Sequence, residues 1–562
     1  MSTTLDGLDL PPKRRFGLWF LPDRWSLLAL ILASVVALPI LVVFATLFVP
    51  HGDIWRHLVS TVLPGYVGHT LALAAGVAIG VALIGVGSAW LVTMCRFPGR
   101  NLFEWALLLP FAVPTYIIGY TYTDLLQFAG PVQTMLRETM GWTRQDYWFP
   151  EIRSLGGAII VMTLVLYPYV YLLSRAAFLS QSSCLLDVSR TLGRNSWRHF
   201  IEVAVPMARP AIVGGVALAL METMADFGTV QHFGISTFTT GIYRTWFALG
   251  EPMAAAQLAA VLMVFVLSML WIERSSRRNV RYDHTTAMRP LTCYDLSAGR
   301  GWMASFACFL PIFLGFLLPT LVLMRMTWYE GDLLMAGKFL PLAWNSFTLA
   351  AVAAALTVGF AVLVAYGVRL RPSLLMKMAS SVAGLGYAIP GTVIAVGVLI
   401  PFARLDNALN GWLEAYVGIG TGLLLTGTIF GLLFAYLVRF LAVALNSVES
   451  GFGKINRHLD DAARSLGHRP GGTLCRVHLP LLRGALLTAA VIVFVDVLKE
   501  LPATLIMRPF NFETLAVRVY QFASDERLAE ASTAALAIVA VGLLPVILLS
   551  RAIAESRPRE QD

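Results

Sequence analysis

The chain carries one loop twice. Asp187-Val-Ser-Arg-Thr-Leu-Gly193, then nine residues, then Val203-Ala-Val-Pro206 returns 274 positions later. The second copy reads Asp461-Ala-Ala-Arg-Ser-Leu-Gly467, then nine residues, then Val477-His-Leu-Pro480. Other landmarks keep nearly the same offset: Ala112-Val-Pro114 is answered by Ala388-Ile-Pro390, and His69-Thr-Leu-Ala-Leu73 by Asn345-Ser-Phe-Thr-Leu349. In a chain that is 57% hydrophobic and 13% charged, such a repeat means one membrane unit duplicated and fused.

A mean hydropathy of +0.71 leaves too little polar surface for a water-soluble protein of 562 residues, so the class is integral membrane. About twelve windows are long enough to cross a ~30 Å hydrocarbon core as helices. They centre near 26–48, 67–94, 103–127, 155–180, 208–230, 254–273, 302–325, 346–369, 376–402, 420–446, 482–507 and 530–555. Lys13, Arg14 and Arg15 lead into the first without a small-residue cleavage site, so no cleaved signal is expected. If the N-terminus is cytoplasmic, the inside segments hold about 30 of the 42 basic residues, including Arg175 to Arg209 and Arg439 to Arg483. Both termini and both repeated loops are then cytoplasmic. The net charge of +9 reflects that topology; no basic–aromatic interleaving points to nucleic acid. Cys95, Cys184, Cys293, Cys308 and Cys475 avoid outside loops, so neither a disulfide framework nor a metal site is expected.

Six windows precede and six follow a polar linker, giving an expected division into residues 1–274, a linker at 275–300, and 301–562. Six is even, so the halves share an orientation: an all-α protein of two parallel six-helix repeats, with a translocation path at their interface. No Walker A sequence or phosphate cradle is present, so the energy source is expected on another chain, and no cofactor is expected.

Three groups of residues carry the functional reading. Within each loop, 187–206 and 461–480, a short helix should end at Gly193 or Gly467, and a second should run to Pro206 or Pro480, where the next span starts. That makes a helix-turn-helix able to dock a soluble partner; the plain alternative is an amphipathic connection. In the spans that follow, Glu222 and Asp226, and at the same offset Asp496 and Glu500, are four apart and so share a helix face. Counted from Arg209 and Arg483, they lie ~20 and ~25 Å along their helices, in the outer half of the membrane. Carboxylates there are costly unless they face a bundle interior or water. They serve a cation path or gate, or else Lys499 locks them structurally. Hard oxygen ligands of this kind suit Fe(III). Tyr116 and Tyr120 share a face beside Pro114 and are candidates for lining the path, or else packing residues.

The repeated loop resembles the "EAA" loop of ABC-importer permeases, which has an acidic residue, two small residues, three spacers, Gly, nine spacers, then aliphatic-any-aliphatic-Pro. The second copy keeps Ala462 and Ala463 and departs by Asp461 for Glu; the first departs also by Val188 and Ser189. Leu220-Met-Glu-Thr-Met-Ala-Asp-Phe-Gly-Thr-Val230, Phe238-Thr-Thr-Gly-Ile-Tyr-Arg244, Asp496-Val-Leu-Lys-Glu-Leu-Pro-Ala-Thr504, and Leu515-Ala-Val-Arg-Val-Tyr520 with Ala523-Ser-Asp-Glu-Arg527 resemble the fused permeases of ferric-iron ABC importers. The resemblance implies a MetI-like pseudo-dimer in the bacterial inner membrane. It also implies two copies of a cytoplasmic ATPase that hydrolyse the ATP, and a periplasmic ferric-binding protein. Coupling would pass through residues around Gly193–Phe200 and Gly467–Leu474. Thiamine, sulfate, polyamine and phosphonate permeases share the scaffold. The rival class is an ion-coupled secondary transporter, which would use the buried acids for protons. A membrane enzyme is weaker still, since no nucleophile–base pair or ligand set appears.

Overall fold

The computed structural model describes residues 24–49, 53–181, 191, 196–277, 294–329, 339–418 and 420–555. In the first half, α1 (Arg24–Ala45) and α2 (Leu63–Met94) precede α3 (Arg100–Ala106), α4 (Thr115–Leu126), α5 (Leu155–Leu179) and α6 (Val205–Ala225). Two short helices, α7 (Gly228–His232) and α8 (Phe238–Phe247), lead into α9 (Pro252–Arg277). The second half repeats the order: α10 (Ala298–Tyr329), α11 (Phe339–Leu370), α12 (Leu374–Ala383), α13 (Gly391–Val417) and α14 (Ile429–Gly453). After α15 (His458–Ser465) come α16 (Leu479–Leu498), α17 (Pro502–Met507), α18 (Leu515–Ser524) and α19 (Ser532–Glu555). Eleven of the described helices are long and apolar enough to cross a membrane; a bent pair makes up to twelve. The protein is thus all-α with two repeats of one membrane unit.

The windows at 103–127 and 376–402 are not continuous helices. Each is broken at the repeated Ala-x-Pro, because proline pushes its predecessor into extended backbone: Val113 has φ −102° and ψ 121°, and Ile389 has φ −86° and ψ 130°. Across the first break the helix axis turns by 87°. A window average cannot register such a kink. The prolines at 206 and 480 do the opposite of what the sequence suggests. Neither ends a helix: each lies in the first turn of α6 or α16, after a π turn at Phe200–Ala204 or Leu474–His478. A wide turn absorbs both the missing N–H and the ring, so the chain runs unbroken into the span.

Within each half, α2 packs along α5 and α11 along α14. Gly80 and Gly85 allow the first pair to approach closely, since a Cβ on Gly80 would lie 2.5 Å from the Thr163 hydroxyl. Between halves, the spans are exchanged. α1 lies against α11, α12 and α13 of the second half, whereas α10 lies against α3, α4 and α5 of the first. α9 reaches α13, and α19 covers the 3₁₀ turn Leu109–Ala112. Each of the two apolar cores therefore mixes both halves: Cys308, Ile312, Ile538 and Val539 join one, and Ala33, Val36 and Val43 join the other. A two-residue parallel strand pair, Cys95–Arg96 with Tyr294–Asp295, ties the segment just before α10 to the end of α2.

Because each core borrows spans, neither half should persist alone. Residues 1–277 or 294–562 expressed singly should be degraded, while co-expression should restore both to the membrane fraction, read by immunoblot. A stable half on its own would contradict the exchanged packing.

Candidate functional site

α6 and α16 stop at equivalent acids that line one cavity. α6 ends at Ala225, where Asp226 leaves the helix with φ −66° and ψ 136°; α16 ends at Leu498, just before Lys499 and Glu500. Each acid then caps the short helix that turns back into the bundle. Asp226 Oδ1 accepts from the backbone N–H of Thr229 (3.0 Å) and Val230 (3.1 Å), and Glu500 Oε1 from that of Ala503 (3.2 Å). Non-helical backbone at this depth survives because protein, not lipid, surrounds it.

The two acids are completed differently. Thr115, at the start of α4, donates its hydroxyl to Asp226 Oδ2 at 2.7 Å, and the Thr229 hydroxyl donates to the same oxygen at 2.9 Å. The position that answers Thr115 is Gly391, at the start of α13, and Glu500 pairs instead with the buried Arg439 of α14, Nε to Oε2 at 3.3 Å. A Cβ on Gly391 would sit 2.5 Å from both an Arg439 nitrogen and a Glu500 oxygen. The missing side chain makes room for the ion pair. Asp496 meets Lys499 Nζ at 2.9 Å. The Glu222 side chain makes no hydrogen bond or ion pair among the described residues; its backbone carbonyl accepts from the Asp226 N–H at 3.0 Å.

Glu222, Asp226, Asp496, Lys499, Glu500 and Tyr116 all line one cavity of about 110 Å³ between the halves. Among the described residues, four carboxylates line it together with two cations, Arg439 and Lys499, a formal excess of two negative charges. Tyr120 is not on the wall; it is buried behind Tyr116, rings 5.8 Å apart, and meets His232 edge-on at 4.6 Å. The sequence reading missed Arg439, which it counted among inside-loop charges: a lone Arg amid the apolar run of α14 was the available signal. Tyr169 and Tyr387, also on the cavity wall, carried none beyond the neighbouring prolines.

Of the first repeated loop, Asp187 and Gly193 lie outside the described residues; Pro206 is placed in α6. The second is described throughout. Gly467 has φ +81°, the left-handed turn in which a Cβ is strained, and closes α15 with two bonds, Gly467 N–H to Arg464 O (2.9 Å) and His468 N–H to Ala463 O (3.0 Å). Pro480 is in the first turn of α16. Ala463 faces inward; Asp461 and Ala462 are exposed. Asp460, unnoticed beside Asp461, anchors the loop: Arg369 Nη2 donates to Oδ2 at 2.7 Å and His478 Nε2 lies 2.7 Å from Oδ1. Burial alone would raise its carboxyl, but these two partners hold it below the usual carboxylate range. Arg369 also donates to Phe452 O and Ile455 O, so one side chain ties α11, the end of α14 and the loop together.

The family model described as "Binding-protein-dependent transport system inner membrane component" matches this chain twice, over residues 82–282 and 357–559. The chain is 28% identical over 490 residues to the Fe(3+)-transport system permease protein FbpB 2 of Haemophilus influenzae, covering 86% of this chain and 89% of that one. It is 26% identical to a putative ferric transport system permease protein, FbpB 1, of the same organism, covering 88% and 79%. A shorter match, 27% over 203 residues, covers 34% of this chain and 86% of the molybdenum transport system permease protein ModB of Escherichia coli K12.

Arg439→Met should leave Glu500 buried without its counter-charge, a loss of about 3–5 kcal/mol. Membrane-inserted protein should fall several-fold, and Arg439→Met with Glu500→Gln should recover most of it. Equal amounts in single and double variants would contradict the pairing.

Proposed function

The chain belongs to the inner-membrane components of binding-protein-dependent transport systems, and from that premise we propose that it is the fused permease subunit of an ATP-driven importer of ferric iron. A multi-pass permease of this family takes its solute from a binding protein and its energy from an ATPase. The finer reading adds two copies of that ATPase beneath the two repeated loops, a ferric-binding protein on the outer side, and cytoplasmic termini. The halves would divide near residues 274 and 301. An ion-coupled transporter would have no need of a pair of docking loops.

The observation that carries the cargo is the sign of the seam cavity. Its excess of two negative charges, with Glu222 unpartnered, repels sulfate or molybdate and attracts a cation. Hard carboxylate oxygen favours a hard, highly charged ion. The two relatives named for iron that align along most of this chain support the same cargo. Asp226, Glu500 and Asp496 keep the path open by bracing its walls, and Glu222 meets the ion; Tyr116 is part of the wall and Tyr120 supports it. In the docking loop, exposed Asp461, Ala462 and Leu466 offer the contact surface, Ala463 and Asp460 hold it to the spans, and Gly467 sets its angle. Asp187, Gly193 and Pro206 would play the matching parts.

One uptake experiment tests the whole. In inside-out-corrected vesicles with the ATPase and binding protein supplied, ferric iron uptake should require ATP and survive a protonophore. Glu222→Gln should reduce it at least tenfold at unchanged protein amount. Gly467→Val should also abolish uptake: its positive φ costs a β-branched residue about 1–3 kcal/mol. With nothing within 4 Å of a Cβ there, the bundle itself should stay folded. Uptake of molybdate in place of iron would overturn the cargo, and normal uptake in Gly467→Val would overturn the coupling role.

A further inference from the structure

We propose that Glu222, Tyr169 and Tyr387 form a transit site that holds the ferric ion at the seam through one carboxylate and two phenolate oxygens. The inference rests on the ferric reading above and specifies its ligands. Tyr169 comes from α5 of the first half and Tyr387 from the turn before Pro390 of the second; their hydroxyl oxygens face each other at 3.5 Å. Among the described residues, that contact is the only hydrogen bond either hydroxyl makes. Both side chains line the same cavity as the unpartnered Glu222. The Tyr169 ring is held edge-on against Phe111 at 4.5 Å, so its hydroxyl is aimed rather than free to swing.

The chemistry fits the charge. Three anionic oxygens neutralise a trivalent ion, and oxygen is the donor a hard cation prefers. A small octahedral ion with oxygens at ~2 Å sets neighbouring ligands about 2.8 Å apart, so the two phenol oxygens need approach by well under 1 Å. Each phenol gives its proton to cavity water as its bond to iron forms and recovers one on release. The iron stays ferric, and no electron is transferred. One tyrosine from each half would also make the site sensitive to relative movement of the halves: separating them by a few ångströms breaks it and frees the ion.

The test uses the permease with its ATPase in lipid nanodiscs, without the binding protein, whose own ligands would obscure the signal. Ferric nitrilotriacetate is added, and visible absorption and resonance Raman spectra are recorded. The expected result is a phenolate-to-iron charge-transfer band with phenolate ring modes, shifted and weakened in Tyr169→Phe or Tyr387→Phe and lost in the double variant. Glu222→Gln should reduce its intensity at least tenfold at the same iron concentration. The Phe changes each remove one hydroxyl and keep the ring, and protein amount is checked by size-exclusion chromatography. Vesicle uptake is measured in parallel, and the double variant should lose at least tenfold. Absence of the band in the parent protein, its survival in the double variant, or full uptake by the double variant would each overturn the site while leaving ferric transport standing. Vesicles that carry no iron at all would remove both readings together.

Discussion

A carboxylate at bilayer depth is costly wherever it lacks a partner or water, and this chain places four of them at one seam. How those charges are met determines the architecture around them. α6 and α16 must stop where they do, because Asp226 and Glu500 are satisfied by the exposed N–H groups of new helices that can start only if the old ones end. The returning helices α7 and α17 then have to be covered, α7 by α4 and α17 by α13 and α14. Asp496 is met by Lys499 and Glu500 by Arg439, so three of the four acids are held by the protein itself. The remaining one, Glu222, has no side-chain partner of this kind among the described residues, which is why the proposed cation path runs past it.

Fusion of the two copies has a physical consequence at this seam. At an offset of 274, Val165 stands where the second half has Arg439 and Ala225 where it has Lys499; aligned on Pro114 and Pro390, Thr115 stands where it has Gly391. Two copies of the first half would bring four acids and no cation to the cavity, repelling each other in a poorly solvated space. Two copies of the second would bring four acids and four cations, leaving no charge to attract an ion. A single chain can combine one of each, and the excess of two negative charges follows. A symmetric dimer cannot reach that intermediate state, since every substitution would appear twice.

Much of this could be read from residue order. The repeat offset put two acid pairs at equivalent points of the halves, because duplication is a local property; the shared helix face expected from their spacing does not form, since α6 ends at Ala225 and α16 at Leu498, before Asp226 and Glu500. Less legible were features that depend on where a helix stops. Lys499 pairs with Asp496 and not with Glu500 because α16 ends between them, which spacing alone cannot reveal. Arg439 was mistaken for a loop charge because charge counting assigns basic residues to the nearest polar segment; burial beside Glu500 is a long-range fact. The kinks at Pro114 and Pro390 were present as motifs, but their effect on span continuity was averaged away. The exchange of α1 and α10 between halves left no trace in local pattern. Packing decided it.

The central claim is that a cation crosses this seam in contact with Glu222. The most direct measurement is a structure of the assembled transporter, arrested during turnover with ferric iron, with anomalous scattering data at the iron absorption edge. The account predicts a single strong anomalous peak between the halves, within bonding distance of the Glu222 carboxylate. An iron peak in a passage that Glu222 does not line, or an oxyanion seated between Arg439 and Lys499, would contradict it.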